Sequence, residues 1–184
     1  IPDNSSAMCI GTIGVINAGD PAQAALDAYD VASLSHDGYA REAACVIASA
    51  VAEAMNPSAT VNSIVEAAAK YIPNKETSRI YTPLMLALEL ADRASDAEEL
   101  TRMYYDNLNV KLFQRGKQRP DDERHSPSVD PLEAVPCAVG MFYKAQGDFK
   151  NTVIASANYG RDCDTIACMA GYIAGAFNGI DSIP

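Results

Sequence analysis

Residues 43–52 read Ala43-Ala44-Cys45-Val46-Ile47-Ala48-Ser49-Ala50-Val51-Ala52, with Ser49 as the single polar member. A helix with no polar stripe must be buried on every side, so this stretch belongs at the centre of a multi-helix core. Its helical pattern extends from Tyr39 to Met55, and Asn56-Pro57 ends it.

Working outward, Asp20-Pro21 starts a helix that runs to about Ser33, with Asp20 as N-cap and Pro21 in the first helical position. Ser5–Gly19 reads as a loop entering a short buried helix, and Ser35-His36-Asp37-Gly38 as a turn. Downstream, Thr60–Tyr71, Lys75–Ala94 and Asp96–Leu108 have amphipathic spacing, with Pro83 marking a break or a late start in the second. Residues 111–130 change character. Lys111 to Arg119 is basic, Asp121-Asp122-Glu123 is acidic, and Ser126-Pro127 closes a long loop that is either a lid over an anionic ligand or a solvated segment. Helices follow over Leu132–Gln146, through Pro136, and from Gly147-Asp148 to about Ala157. The last, Thr165–Phe177, carries Gly171 and Gly175 four apart, a spacing that admits a close helix neighbour. No segment alternates with period two, and no repeat, Gly-rich phosphate loop, H-E-x-x-H or G-x-S-x-G occurs. The fold class that follows is all-α.

Composition narrows the function. The 184 residues suffice for one domain with a core, and a net charge of -10 disfavours nucleic acid and anionic membrane surfaces as partners. The longest apolar stretches, Ala43–Ala52 and Ile166–Phe177, fall short of the roughly 20 residues that span a bilayer. Cys45, Cys137 and Cys168 lie in apolar helical patterns, the cysteine count is odd and no C-x-x-C occurs. That usage points to a reducing, cytoplasmic location and away from thiolate zinc.

The chemistry concentrates in Asn158-Tyr159-Gly160-Arg161-Asp162-Cys163-Asp164-Thr165. One Asp is enough to cap a helix; two and a Thr exceed that need. Adjacent carboxylates at the edge of an apolar core repel one another, and a cation between them removes the cost. An all-oxygen set suits Mg²⁺ or Mn²⁺. The residues alone leave two readings open, a metal site or an N-cap beside a solvated Asp. Cys163, between two carboxylates, is not read as a nucleophile.

Gly160-Arg161-Asp162-Cys163-Asp164-Thr165, followed by Ala170-Gly171-Tyr172-Ile173-Ala174-Gly175-Ala176, resembles the closing motif of the ADP-ribosylglycohydrolase family, G-G-D-x-D-T and a small-residue helix ending A-G-A. Asn4-Ser5-Ser6-Ala7-Met8 is similar to that family's N-G-x-x-M loop, and Ala18-Gly19-Asp20-Pro21 and Ser33-Leu34-Ser35-His36 match later segments in order. The resemblance implies a multi-helix orthogonal bundle and a hydrolase of the glycosidic bond in ADP-ribosylated or related ribosyl substrates, with two Mg²⁺ or Mn²⁺ ions. It implies Asp162, Asp164 and Thr165 as metal ligands and Asn4, Ser5, Ser6, His36, Gly160 and Arg161 as substrate-binding residues. It also implies further ligands, a T-D-D cluster and a Glu, that these residues do not contain. The expectation is therefore that residues 1–184 form the carboxy-terminal portion of one domain. Its partner would be a complementary amino-terminal segment or chain, and no catalytic acid or base would lie in this portion, which would be inactive alone. Arg161, Ser5 and Cys9 stand where the family has Gly, Gly and Arg; Arg161 either contacts a phosphate or pairs with a carboxylate. A nucleosidase acting on smaller ribosyl compounds and an inactive structural member of the family are the competing readings.

Overall fold

The computed structural model describes residues 2–109 and 129–183. The basic stretch, Asp121-Asp122, His125 and Ser126-Pro127 lie outside them. Among the described residues the fold is all-α, with no strand. The helices are α1 Ser5–Cys9, α2 Gly11–Ile16, α3 Pro21–Ala32, α4 Tyr39–Ala54, α5 Val61–Lys70, α6 Tyr81–Arg93, α7 Ala97–Tyr104, α8 Pro131–Lys144, α9 Phe149–Asn158 and α10 Cys163–Asn178.

Helix α4 is the central element that its composition demands. It packs against α1, α2, α3, α5, α8 and α10, and its residues from Ala43 to Ala52 are all buried. Ser49 is satisfied there because its hydroxyl donates to the Pro21 carbonyl at 3.1 Å, which avoids the penalty of an unpaired buried hydroxyl. Helix α8 is buried just as completely from Pro131 to Phe142. Asp130 caps it by accepting from the Leu132 amide at 2.9 Å, and Pro131 takes the first helical position, where no N–H is needed.

Local chemistry sets the other boundaries. Asp20 accepts from the Gln23 amide at 3.0 Å and starts α3. Thr60 and Ser63 exchange reciprocal bonds, both 3.0 Å, at the start of α5. The helix expected from Lys75 begins instead at Tyr81. Pro83 explains the late start: within a longer helix its ring would meet the Arg79 carbonyl and its missing N–H would leave a gap, whereas in the first turn neither matters. Residues 5–19, read as a loop and one helix, form two short helices joined at Ile10. Gly14 explains how α2 sits flat on α4: a Cβ there would lie 2.6 Å from Val51 Cβ and 2.7 Å from the Ala48 carbonyl. The Gly171–Gly175 face meets α9, but at ordinary contact, with 3.8 Å to Val153 and 3.7 Å to Phe149 for an added Cβ. The two helices pack together, but the space at these positions does not require glycine. Cys45 and Cys137 are buried, while Cys168 is only half-buried, and all five cysteines are free. No described helix is long and apolar enough to cross a membrane.

Candidate functional site

Helix α9 ends at Asn158, and four residues later Asp162 occupies the N-cap of α10. The turn between them needs two consecutive left-handed residues, Gly160 at φ +80° and Arg161 at φ +55°. Gly160 takes this conformation without steric conflict; Arg161, with a Cβ, does not. Beneath the turn, the half-buried Arg161 guanidinium forks onto Glu133 of α8, Nε to Oε1 at 2.6 Å and Nη2 to Oε2 at 2.9 Å. Tyr159 donates its hydroxyl to the same Oε1 at 2.8 Å, and Tyr105 donates to the Tyr159 carbonyl at 3.0 Å. Glu133 is 1% exposed, so these donors are what make a carboxylate tolerable there. Burial lowers the affinity of Arg161 for its proton, but the Glu133 hydrogen bond and charge outweigh that and leave the guanidinium above its ordinary pKa. Burial, with Cys137 and Glu133 adding to it, raises Tyr159 far above the ordinary phenol range.

Although Asp162 stands at the N-cap, its side chain makes no capping hydrogen bond. Its Oδ2 instead accepts from the Asn4 side-chain amide at 2.5 Å, across 158 residues of chain. Its Oδ1 accepts from the Thr165 hydroxyl at 3.2 Å, and that hydroxyl lies 3.6 Å from Met8 Sδ. Asn4 and Thr165 are buried, 4% and 5% exposed, whereas Asp164 in the first turn is exposed. The fold thus gathers Asn4, Asp162 and Thr165. The donors are carboxylate and hydroxyl oxygens, which fit a hard divalent cation. Among the described residues no three His, Cys, Asp or Glu side chains form a cation-holding group.

Beside Asn4 lies a second cluster. His36 Nε2 is 3.1 Å from Ser5 Oγ and 3.1 Å from Asp3 Oδ1, and its Nδ1 is 2.7 Å from Ser35 Oγ. Asp3 Oδ1 also accepts from the Ser5 amide at 2.9 Å and from the Ser5 hydroxyl. The Ser5 hydroxyl, the Ser5 amide and then His36 hold the Asp3 carboxyl down, at about 2. A hollow of about 480 Å³ opens here, lined by Asp3, Ser33, Ser35, His36 and Asp37 among others. A larger one, about 610 Å³ between α7 and α9, touches Asn158 at the start of that stretch but none of the expected metal-ligating or substrate-binding residues. Ser6 turns away from both clusters and donates to the Ala40 carbonyl at 3.0 Å, pinning α1 to α4.

Two members of this constellation, Asp3 and Glu133, escape the sequence reading. Asp3 had a signal, an Asx-type spacing to Ser5 just before a helix. Glu133 had another: a lone carboxylate in an otherwise apolar run requires a buried cation, and Arg161 was the candidate already in view.

An all-α fold that brings an oxygen-donor helix entrance against an Asn-Ser-Ser turn defines the class. The chain belongs to the ADP-ribosylglycohydrolase family, whose sequence profile matches residues 2–184. Among similar proteins, Uncharacterized protein YegU of Escherichia coli (strain K12) is 42% identical over 52 residues, 28% of this chain and 16% of that protein. ADP-ribosylhydrolase ARH3 of Danio rerio is 60% identical over 38 residues, 21% of this chain and 10% of that protein. ADP-ribosylhydrolase ARH3 of Homo sapiens is 40% identical over 66 residues, 30% and 18% respectively. The matched part of the chain therefore spans less than a fifth of the length of each of these relatives.

Proposed function

We propose that this chain is the carboxy-terminal part of a metal-dependent hydrolase that cleaves the glycosidic bond of ADP-ribosylated or related ribosyl substrates. The observation that carries the proposal is the Asp162 carboxylate. It makes no capping bond to the backbone amides of its helix and accepts from the Asn4 side-chain amide and the Thr165 hydroxyl instead. Family membership and the names of the two ADP-ribosylhydrolase relatives support the choice of substrate class.

Asp162, Asp164 and Thr165 would hold one side of a pair of Mg²⁺ or Mn²⁺ ions, with the remaining ligands and the general base supplied by a complementary amino-terminal segment or chain. Bound there, the ions supply orientation of ribose hydroxyls and an activated water. The Asn4 amide fixes the Asp162 carboxylate, and the two acidic groups at the helix entrance stabilise positive charge developing at the anomeric carbon. Ser5 and His36 offer hydrogen-bonding groups on the adjacent wall to the hydroxyls or phosphates of a nucleotide. The odd cysteine count and the burial of Cys45 and Cys137 in apolar helices support a reducing, cytoplasmic location.

The test is hydrolysis of ADP-ribosyl-arginine, ADP-ribosyl-serine and free nucleosides by the chain plus its complementary segment, with Mg²⁺. Asp162→Ala and Asp164→Ala should each lower turnover by more than the roughly 10–100-fold that loss of an outer partner costs. Unchanged turnover in both variants would rule the mechanism out. Activity on free nucleosides alone would reassign the substrate class.

A further inference from the structure

Arg161 adopts a left-handed backbone that residues with a Cβ avoid, at the one position that sets the direction of Asp162. The Arg161 side chain is placed to stabilise that choice, because it is held by Glu133. Two parallel hydrogen bonds of 2.6 and 2.9 Å join the guanidinium to a carboxylate on a helix that is buried from Pro131 to Phe142. The same carboxylate receives the Tyr159 hydroxyl, so the turn is strapped to α8 on both sides of Gly160. Asp162, next in the chain, leaves its helix uncapped and reaches Asn4 at 2.5 Å.

We infer that Glu133 is a positioning residue for the candidate cation site: by clamping Arg161 it holds the 160–161 turn left-handed, and so aims the Asp162 carboxylate at Asn4 and Thr165. Glu133 is 1% exposed and is assigned to act through Arg161. Its influence passes through one φ angle, which makes the role separable from that of an ordinary buried ion pair. The functional meaning rests on the cation reading above; the geometric claim does not.

A purely structural pair predicts that any residue lacking the guanidinium behaves alike at position 161. A clamp on backbone conformation predicts that glycine, which adopts φ +55° unaided, replaces the pair, and that alanine does not. The experiment compares Glu133→Gln/Arg161→Gly with Glu133→Gln/Arg161→Ala in the full chain, since both remove the guanidinium and leave no buried charge unpaired. The readout is the Asn4 side-chain amide, by NMR position and hydrogen exchange, with urea unfolding as the control for global stability. The glycine variant should keep the Asn4 signal of the parent; the alanine variant should lose it and exchange about tenfold faster. Glu133→Gln alone, which takes the Glu133 carboxylate away from the Arg161 guanidinium, should speed exchange and also lower the urea midpoint. Equal behaviour of the glycine and alanine variants, or Glu133→Gln exchange identical to the parent's, overturns the inference. A parallel Mn²⁺ titration should rank the same variants, alanine about tenfold weaker than glycine. A parent chain that takes up no Mn²⁺, alone or with its complementary segment, would defeat the functional reading, while the Asn4 signal still decides this one.

Discussion

Replacing Gly140 with Ala should be among the most damaging single-methyl changes in this protein. Gly140 lies in α8, and a Cβ built there would stand 1.8 Å from the Tyr104 hydroxyl oxygen and 3.0 Å from Cζ. Tyr104 has nowhere to retreat: it is fully buried, and its hydroxyl donates to the Ala87 carbonyl at 2.9 Å. Admitting the methyl means displacing the ring. Overpacking costs about 1–3 kcal/mol, and stranding the phenol away from its acceptor about 1–3 kcal/mol more. Glycine's poor helix propensity returns roughly 1 kcal/mol of this. A net loss of about 3 kcal/mol follows, which at about 2–4 °C per kcal/mol for a chain of this size lowers Tm by roughly 6–12 °C. Urea unfolding followed by circular dichroism measures it. Adding Tyr104→Phe removes the 1.8 Å contact and leaves the tight 3.0 Å one, so the double variant should be more stable than Gly140→Ala alone. Parent-like stability of Gly140→Ala, or no recovery in the double variant, would refute the packing argument. Tyr104 also meets the Tyr159 ring edge-on at 6.4 Å, so the displacement should reach the turn beside Asp162.

Other outcomes are expected at the site and away from it. Gly160→Ala places a Cβ at φ +80° and 3.2 Å from the Tyr105 hydroxyl. It should cost about 1–2 kcal/mol of stability and abolish most hydrolytic turnover, read by urea unfolding and the assay above. Asp3, held at about 2 against an ordinary 3.8, contributes stability that is present above pH 3.8 and lost as pH falls toward 2. Asp3→Asn should therefore flatten the acid limb of the stability curve relative to the parent, and superimposable limbs would contradict the network. Thr60→Ala removes the cap of α5; it should cost about 1 kcal/mol and leave turnover untouched.

The helical architecture was legible because burial is written in composition. Residues 43–52 have one polar side chain, and the fold found an acceptor for it without exposing the helix. Caps were legible for the same local reason: Asp20, Asp96 and Asp148 each accept an amide from the first turn. Asp162 was legible as special and not as to why, since Asn4, unlike Thr165 three residues on in the same helix, becomes its neighbour only through the packing of α1 and α10 on α4. The boundary read at Lys75 moved to Tyr81 through the late start that Pro83 signalled, since amphipathic spacing continues upstream of Pro83 where its ring bars a longer helix. Glu133 and Arg161, 28 residues apart, left no spacing pattern at all. Only the energetic demand of a buried carboxylate could have paired them.

The bond from Asn4 to Asp162 has a kinetic corollary. A growing polypeptide exposes Asn4 long before Asp162 is synthesised, and closing a loop of that length is slow relative to forming local helices. The early residues must therefore wait, with α1 docked on α4 through Ser6, for the distant helix to arrive. Maturation of the cleft should trail formation of the hydrophobic interior during folding, and a chain halted before α10 would have a nearly finished scaffold with no carboxylate facing Asn4.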